Sequence, residues 1–367
     1  MKLKKFFAGV LAAAMMLTVG ATSAFAVSTV YRDQDTVKIY KHYGLEGNGT
    51  SPEETFYLVQ TDKSIVTGDI TDAEVPDLVE LTTKPADANA NERYVASVHF
   101  AAGGAKTDDN EYNKGTFEIT LPTYTRVGQY AYTLQEVPGN TAGVTYRTDT
   151  IKLVVNVIDE GAGITRVAGV HTESESGQKN CSFSDNKYAA NTLEVKKYVG
   201  GNMGDRNTYF QFRLKLEPGN ANTGKTFAEN YTITYSDPEN GSGKNTTSTI
   251  RVDGNYVYFW LKHWESISIA NLPKGVEWTV DELDADGQPV ANNGKNGFYD
   301  VKVTGGTGTI VAANAGQDDN RAFFDNEHEG IPDMGVILDN APYIALLAIV
   351  AIGGVALMLN KRRRDEE

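Results

Sequence analysis

An all-β fold of two tandem sandwiches is what this 367-residue sequence predicts, and three observations predict it. Short stretches of alternating polarity, rich in β-branched and aromatic residues, recur along the chain: Thr36–Lys41, Phe117–Leu121, Gln129–Leu134, Ile151–Val157 and Tyr209–Leu216. Clusters of Gly, Asn, Asp and Pro separate them, as turns between strands require. Outside the two ends, no long window repeats its apolar residues with the 3.6-residue period of an amphipathic helix. Residues 27–334 are enough for two domains of ordinary size, each with a sizeable core.

In chain order, residues 1–26 read as a secretory signal peptide. Lys2, Lys4 and Lys5 precede the apolar run Phe6–Val19, and Ala24-Phe25-Ala26 offers a small-residue cleavage site, so mature chain is expected from Val27. Losing those three lysines takes the formal charge from −14 to −17, the tail after Met334 being neutral. That acidity argues against nucleic acid as a partner. The first sandwich is assigned to residues 27–190 and the second to 191–330. Within the first, the polar, Gly-rich segment Asp87–Gly115 around Tyr94–Val98 reads as an elaborated loop or an added hairpin. Cys181 is the single cysteine, which excludes an internal disulfide in a compartment that permits one, and it reads as a small, partly buried strand residue.

Residues 331–367 combine a Pro/Gly motif, an apolar run and a basic cluster. The uncharged stretch Ala341–Leu359 approaches the roughly 20 residues that cross a bilayer core. Lys361, Arg362, Arg363 and Arg364 would hold its far end in the cytoplasm, leaving the preceding chain outside. A plain membrane anchor is the simpler reading. The pentapeptide Ile331-Pro332-Asp333-Met334-Gly335, however, resembles the L-P-x-T-G signal of Gram-positive sortases, with Ile for Leu and Met for Thr. The resemblance implies cleavage after Met334 and transfer of its acyl group to an amine.

The two halves repeat weakly, in the same order. Thr36-Val37-Lys38-Ile39-Tyr40-Lys41 answers to Thr192-Leu193-Glu194-Val195-Lys196-Lys197, Tyr132–Glu136 to Trp278–Glu282, and Phe183-Ser184-Asp185-Asn186 to Phe323-Phe324-Asp325-Asn326. A Lys therefore opens each half, a Glu follows 95 or 85 residues later, and an Asn closes it after a further 50 or 44. Alone, each of these residues reads as a surface or turn position. Side chains two apart on a strand share a face, however, so Lys41 points with Ile39 and Val37, and Lys197 with Val195 and Leu193, toward a core. Burial favours the neutral amine, a nucleophile, and keeps a carboxyl protonated. Such a carboxyl can donate to the Asn side-chain carbonyl and shuttle protons as ammonia leaves, giving a Lys–Asn isopeptide bond between first and last strands.

With these motifs the chain resembles the major, shaft-forming pilins of Gram-positive bacteria, of the two-domain T-antigen type. Lys196-Lys197-Tyr198-Val199-Gly200-Gly201, then Gly204-Asp205-Arg206 and Phe210-Gln211-Phe212, is similar to that family's second-domain opening, and Ala341-Pro342-Tyr343-Ile344-Ala345 to its tail. The resemblance implies immunoglobulin-like, CnaB-type sandwiches with bonds pairing Lys41 with Asn186 and Lys197 with Asn326, and Glu136 and Glu282 as catalytic acids. The family's Phe-x-Asn spacing holds at Phe324–Asn326 but gains a residue at Phe183–Asn186, so either a bulge intervenes or Asp185 is the partner. Asn186 fits the family's distance to Leu193. Lys179, in Gly177-Gln178-Lys179, matches the family's acceptor of the next subunit's acyl group. Implied partners are a sortase, identical subunits, accessory pilins and a peptidoglycan anchor, with a host surface as a further candidate, on a wall-anchored surface pilus.

Little else in the sequence suggests chemistry. The five histidines show no zinc spacing, and Glu282–Gly287 lacks the acidic last ligand of a calcium loop, Asn293 standing there. Gly241-Ser242-Gly243-Lys244 lacks phosphate-loop spacing, and no motif for turnover is present, so neither a cofactor nor an enzyme beyond single-turnover self-linkage is expected. The competing function is a monomeric wall-anchored adhesin on the same sandwiches.

Overall fold

The computed structural model describes residues 36–104, 112–180, 182–237, 243–312 and 319–330, with 346–352, 355 and 358 near the end. Residues 1–26, read as a signal peptide, Cys181 and the Ile331–Gly335 motif lie outside them.

Nine strands build the first half: β1 (Thr36–Gly47), β2 (Glu54–Gly68), β3 (Arg93–Phe100), β4 (Tyr112–Thr120), β5 (Gly128–Val137), β6 (Val144–Thr145), β7 (Ile151–Gly161), β8 (Ile164–Ser174) and β9 (Ser182–Gly200). One sheet has the order β3-β2-β5-β7-β8; facing it, β1 pairs antiparallel with β4 and parallel with β9. Between the sheets lie Ile39, Tyr43, Phe56, Leu58, Phe117, Ile119, Tyr132, Leu134, Leu153 and Val155, all essentially inaccessible.

Ten more strands follow: β10 (Phe210–Glu217), β11 (Tyr231–Tyr235), β12 (Thr249–Ile250), β13 (Val257–Leu261), β14 (Ser266–Pro273), β15 (Glu277–Leu283), β16 (Lys295–Asn296), β17 (Tyr299–Thr304), β18 (Thr307–Thr309) and β19 (Arg321–Glu327). They form a sheet β13-β10-β15-β18 and a facing row β12-β11-β14-β9-β19-β17-β16. Leu193, Val195, Phe212, Leu214, Ile267, Val280 and Phe324 fill the space between. The alternating burial of β10, with Phe210, Phe212, Leu214 and Leu216 inward, is the polarity pattern of its sequence made physical.

Two features differ from the sequence reading. The segment read as a loop or added hairpin contains β3, an integral edge strand paired with β2 and burying Tyr94, Val95 and Ala96. The register shift between Leu58 and Val59 in that pairing lets three consecutive residues bury, which hides the two-residue period. Second, β9 is one unbroken strand of 19 residues: its first half pairs with β1, its second with β14 and β19. The halves therefore share a strand that runs through the boundary set between residues 190 and 191. They are also tied laterally, Lys274 N donating to Ala189 O at 2.9 Å and Thr50 N to Asn271 Oδ1 at 2.6 Å. Gly47, at φ +82°, lies so close to Ala190 O that a Cβ would come within 2.0 Å of it.

The membrane span read from Ala341–Leu359 finds no support: among the described residues no helix is long and apolar enough to cross a membrane. Helical residues are described at 346–352, 355 and 358, and the rest of that run lies outside the described residues.

Candidate functional site: two buried Lys–Glu–Asn clusters

Alternation on β1 turns Val37, Ile39, Lys41 and Tyr43 to the interior, and Lys41 is fully inaccessible. The same rule on β9 turns Leu193, Val195, Lys197 and Val199 inward, again with an inaccessible lysine. Opposite each stands an acid. Glu136 continues the inward row Tyr130, Tyr132, Leu134 of β5, and Glu282 the row Trp278, Val280 of β15. Asn186 on β9 and Asn326 on β19 complete the clusters, both at zero exposure. In each half Lys and Asn belong to neighbouring parallel strands of one sheet, and Glu reaches across from the other.

The register is the same twice. Asn326 lies opposite Val199, two positions beyond Lys197, and Asn186 lies opposite Tyr43, two positions beyond Lys41. The extra residue in Phe183–Asn186 is absorbed by a register shift between Lys41 and Tyr43, so a bulge restores the alignment. Asn186 is thereby the residue placed against Lys41 and Glu136.

Contacts within the clusters also correspond. The Lys41 Nζ donates to Glu136 Oε2 and to Asn186 Oδ1, while Asn186 Nδ2 donates to Glu136 Oε1. In the second cluster Lys197 Nζ donates to Glu282 Oε2 at 2.9 Å and Asn326 Nδ2 to Glu282 Oε1 at 2.6 Å. Asn326 Oδ1 is buried with no hydrogen-bond partner among the described residues. Each carboxyl thus bridges the lysine nitrogen and the amide nitrogen, whereas the sequence reading aimed it at the amide carbonyl. A carboxyl held there can take a proton from one nitrogen and deliver it to the other.

Burial pushes both lysines below the ordinary value. For Lys41 desolvation outweighs the opposing pull of Glu136, and the charge of Arg147 adds a smaller downward push. For Lys197 desolvation, opposed by Glu282, brings the amine down to about 8. At pH 7 about a tenth of such an amine is neutral, against less than about one in a thousand for an ordinary lysine. Aromatic rings close over both amines: Phe56 at 4.7 Å and Phe117 at 6.0 Å for Lys41, Phe210 at 4.3 Å and Phe212 at 6.0 Å for Lys197. They shut water out of each cluster and hold the amine in place.

In the sequence those rings mark strands and Asn296 marks a turn, with no sign that they line a site. Asn296 Nδ2 donates to Glu282 Oε1 at 2.8 Å and to Leu283 O at 3.1 Å. Its sequence signal, Asn296-Gly297 ahead of Phe298, is that of a turn, and Gly297 indeed has φ +60° between the paired residues Asn296 and Tyr299.

Lys179 lies apart, exposed, on the segment that follows β8, where its backbone forms an isolated antiparallel β-bridge with Glu173 and where Ser174 N donates to Gln178 O at 2.8 Å. The last described residue before the pentapeptide, Gly330, is clasped by Asn202, whose Oδ1 accepts from Gly330 N at 2.7 Å and whose Nδ2 donates to Gly330 O at 2.8 Å. Among the described residues no group of His, Cys, Asp and Glu is arranged to hold a metal.

Comparison with known proteins agrees with the resemblance. Residues 49–189 match the family model of the Spy0128-like isopeptide containing domain, and residues 191–327 match a domain of unknown function (DUF7601). A pilin of Streptococcus pyogenes serotype M1 is 28% identical over 359 residues, 95% of this chain and 98% of that one. Solved structures that match include a major pilin from Streptococcus pyogenes, at 23% identity over 81% of this chain and 99% of that one, with a TM-score of 0.44. The T3.2 major pilin of the same species matches at 17% identity, over 80% and 98%, with a TM-score of 0.41. The chain is therefore similar over nearly its whole length to a streptococcal pilin, and its residues 49–189 match the Spy0128-like isopeptide containing domain.

Proposed function

We propose that this chain is the structural subunit of a pilus shaft, cross-linked within each sandwich by a self-formed isopeptide bond and joined to its neighbours by a sortase. The observation that carries the reading is the repetition of one buried cluster, Lys, Glu and Asn at equal register, in both sandwiches. An unlinked buried ion pair beside an amide is costly to hold twice, whereas linkage removes the charge from the core.

In each cluster the neutral Lys Nζ attacks the Asn Cγ. The carboxyl takes the proton that Nζ loses and gives one to the departing Nδ2; the C–N bond to Nδ2 breaks, the Nζ–Cγ bond remains, and ammonia leaves. Nothing is oxidised or reduced. Glu136 serves Lys41 and Asn186; Glu282 serves Lys197 and Asn326. Between subunits, a sortase cuts after Met334 and passes the acyl group to Lys179, whose exposure suits an intermolecular acceptor. Such polymers carry accessory pilins and end on peptidoglycan at the surface of a Gram-positive cell.

Cells bearing the chain are expected to release from their walls a detergent-resistant ladder of masses, and Lys179→Ala cells a single species on the same immunoblot. A ladder undiminished in Lys179→Ala cells means another lysine is the acceptor. A single band in the wild type means a monomeric surface protein.

A further inference from the structure

The two clusters are equivalent in Lys, Glu, Asn and rings, but differ around the acid. Glu282 Oε1 receives two amide N–H groups, from Asn326 at 2.6 Å and from Asn296 at 2.8 Å, while Oε2 faces Lys197 at 2.9 Å. Both hydrogens of the Asn296 amide are committed, the second to the carbonyl of Leu283, the residue after Glu282, at 3.1 Å. The side chain therefore clamps the carboxyl to its own strand. Asn296 comes from β16, a two-residue strand against β17, outside the sheet that carries Glu282. For Glu136 the structure gives Lys41 and Asn186 as partners, and the charges of Glu136 and Arg147 act on one another.

We infer that Asn296 is a positioning residue for the second cross-link: it holds Glu282 Oε1 turned toward the amide nitrogen that leaves Asn326. This rests on the isopeptide reading and assigns a residue to one of its two sites. A carboxyl without this donor swings about its side-chain bonds, and its alignment with both nitrogens is lost for part of the time. When Nδ2 of Asn326 departs as ammonia, Oε1 loses one donor, and Asn296 keeps it satisfied in a dry core.

The test uses the secreted ectodomain, in which the first bond is an internal control. Time-resolved intact-mass and peptide-map measurements follow each bond separately in the wild type, in Asn296→Ala and in Asn296→Asp. Asn296→Ala is expected to slow the Lys197–Asn326 bond about tenfold, the scale of one charge-assisted hydrogen bond, leaving the Lys41–Asn186 bond unchanged. Asn296→Asp keeps the shape but replaces the N–H donor with a carboxylate oxygen, and is expected to slow the second bond further than alanine does. A role in shape alone gives the opposite order, so a milder effect of Asp than of Ala overturns the inference, as does a second bond formed at the wild-type rate in Asn296→Ala. Equal slowing of both bonds also overturns it, by showing a general loss of fold. A wild-type chain that never forms the second bond removes the cross-link itself, and this inference with it, a result told apart by the wild-type mass alone.

Discussion

A polymer of the Lys197→Ala chain is expected to lengthen when pulled, by unfolding of its second sandwich, where the wild-type polymer stays nearly inextensible. With subunits joined from Met334 to Lys179, tension enters along β9 and leaves past β19. These strands are parallel neighbours, in register from Arg321 opposite Glu194 to Glu327 opposite Gly200. Pulling β9 by its start and β19 by its end loads the ladder in shear. A bond between Lys197 and Asn326 carries the load from one strand to the other and takes the residues between them out of the path. Without it, rupture of the ladder releases those residues, about 400 Å of extended chain per subunit. The first sandwich meets this path only through the segment from Lys179 to Ala190, where β9 leaves β1, so Lys41→Ala is expected to reduce heat and protease resistance with a much smaller effect on extension. Single-fibre pulling compares the two variants; equal extensibility contradicts the load path.

Glu282→Ala should abolish the second bond and leave the first, and Glu136→Ala the reverse. The effect is local because each carboxyl contacts the lysine and asparagine of its own cluster and none of the other cluster's groups, Glu282 being held in addition by Asn296. Lys41 and Asn186 stand 145 positions apart, and tying off a loop of that order stabilises by about 5 kcal/mol in the loop-entropy treatment. Losing it should lower the melting temperature of the affected sandwich by about 15 °C. Calorimetry together with intact mass reads both outcomes. A Glu282→Ala chain that forms its second bond at the normal rate would show that the acid is misassigned.

The sandwiches and the clusters were legible in the sequence to different depths. Alternation alone turned Lys41 and Lys197 inward, because a strand has only two faces and Ile39 and Val195 occupy the buried one. The repeated order picked out Glu136 and Glu282, and the additional residue before Asn186 left a bulge or a switch to Asp185 open, of which the β1–β9 register contains the bulge. Asn296 was illegible because Asn before Gly is the signature of a turn, and its contact with Glu282 depends on how a two-residue strand folds back over the core. The continuity of β9 was hidden for a related reason: its residues across 186–192, Asn-Lys-Tyr-Ala-Ala-Asn-Thr, look like a junction. Their pairing partners, Gly44 to Gly47 on one side and Leu272 and Pro273 on the other, come from distant sequence. Contacts of that range follow from tertiary packing and leave no local period.

The most direct measurement is the intact mass of the folded, secreted ectodomain, with peptide mapping of the linked segments. The account predicts a mass lower than the sequence mass by two molecules of ammonia, with Lys41 joined to Asn186 and Lys197 to Asn326. Loss of one water and one ammonia would move the first bond to Asp185, and a mass equal to that of the sequence would contradict both bonds.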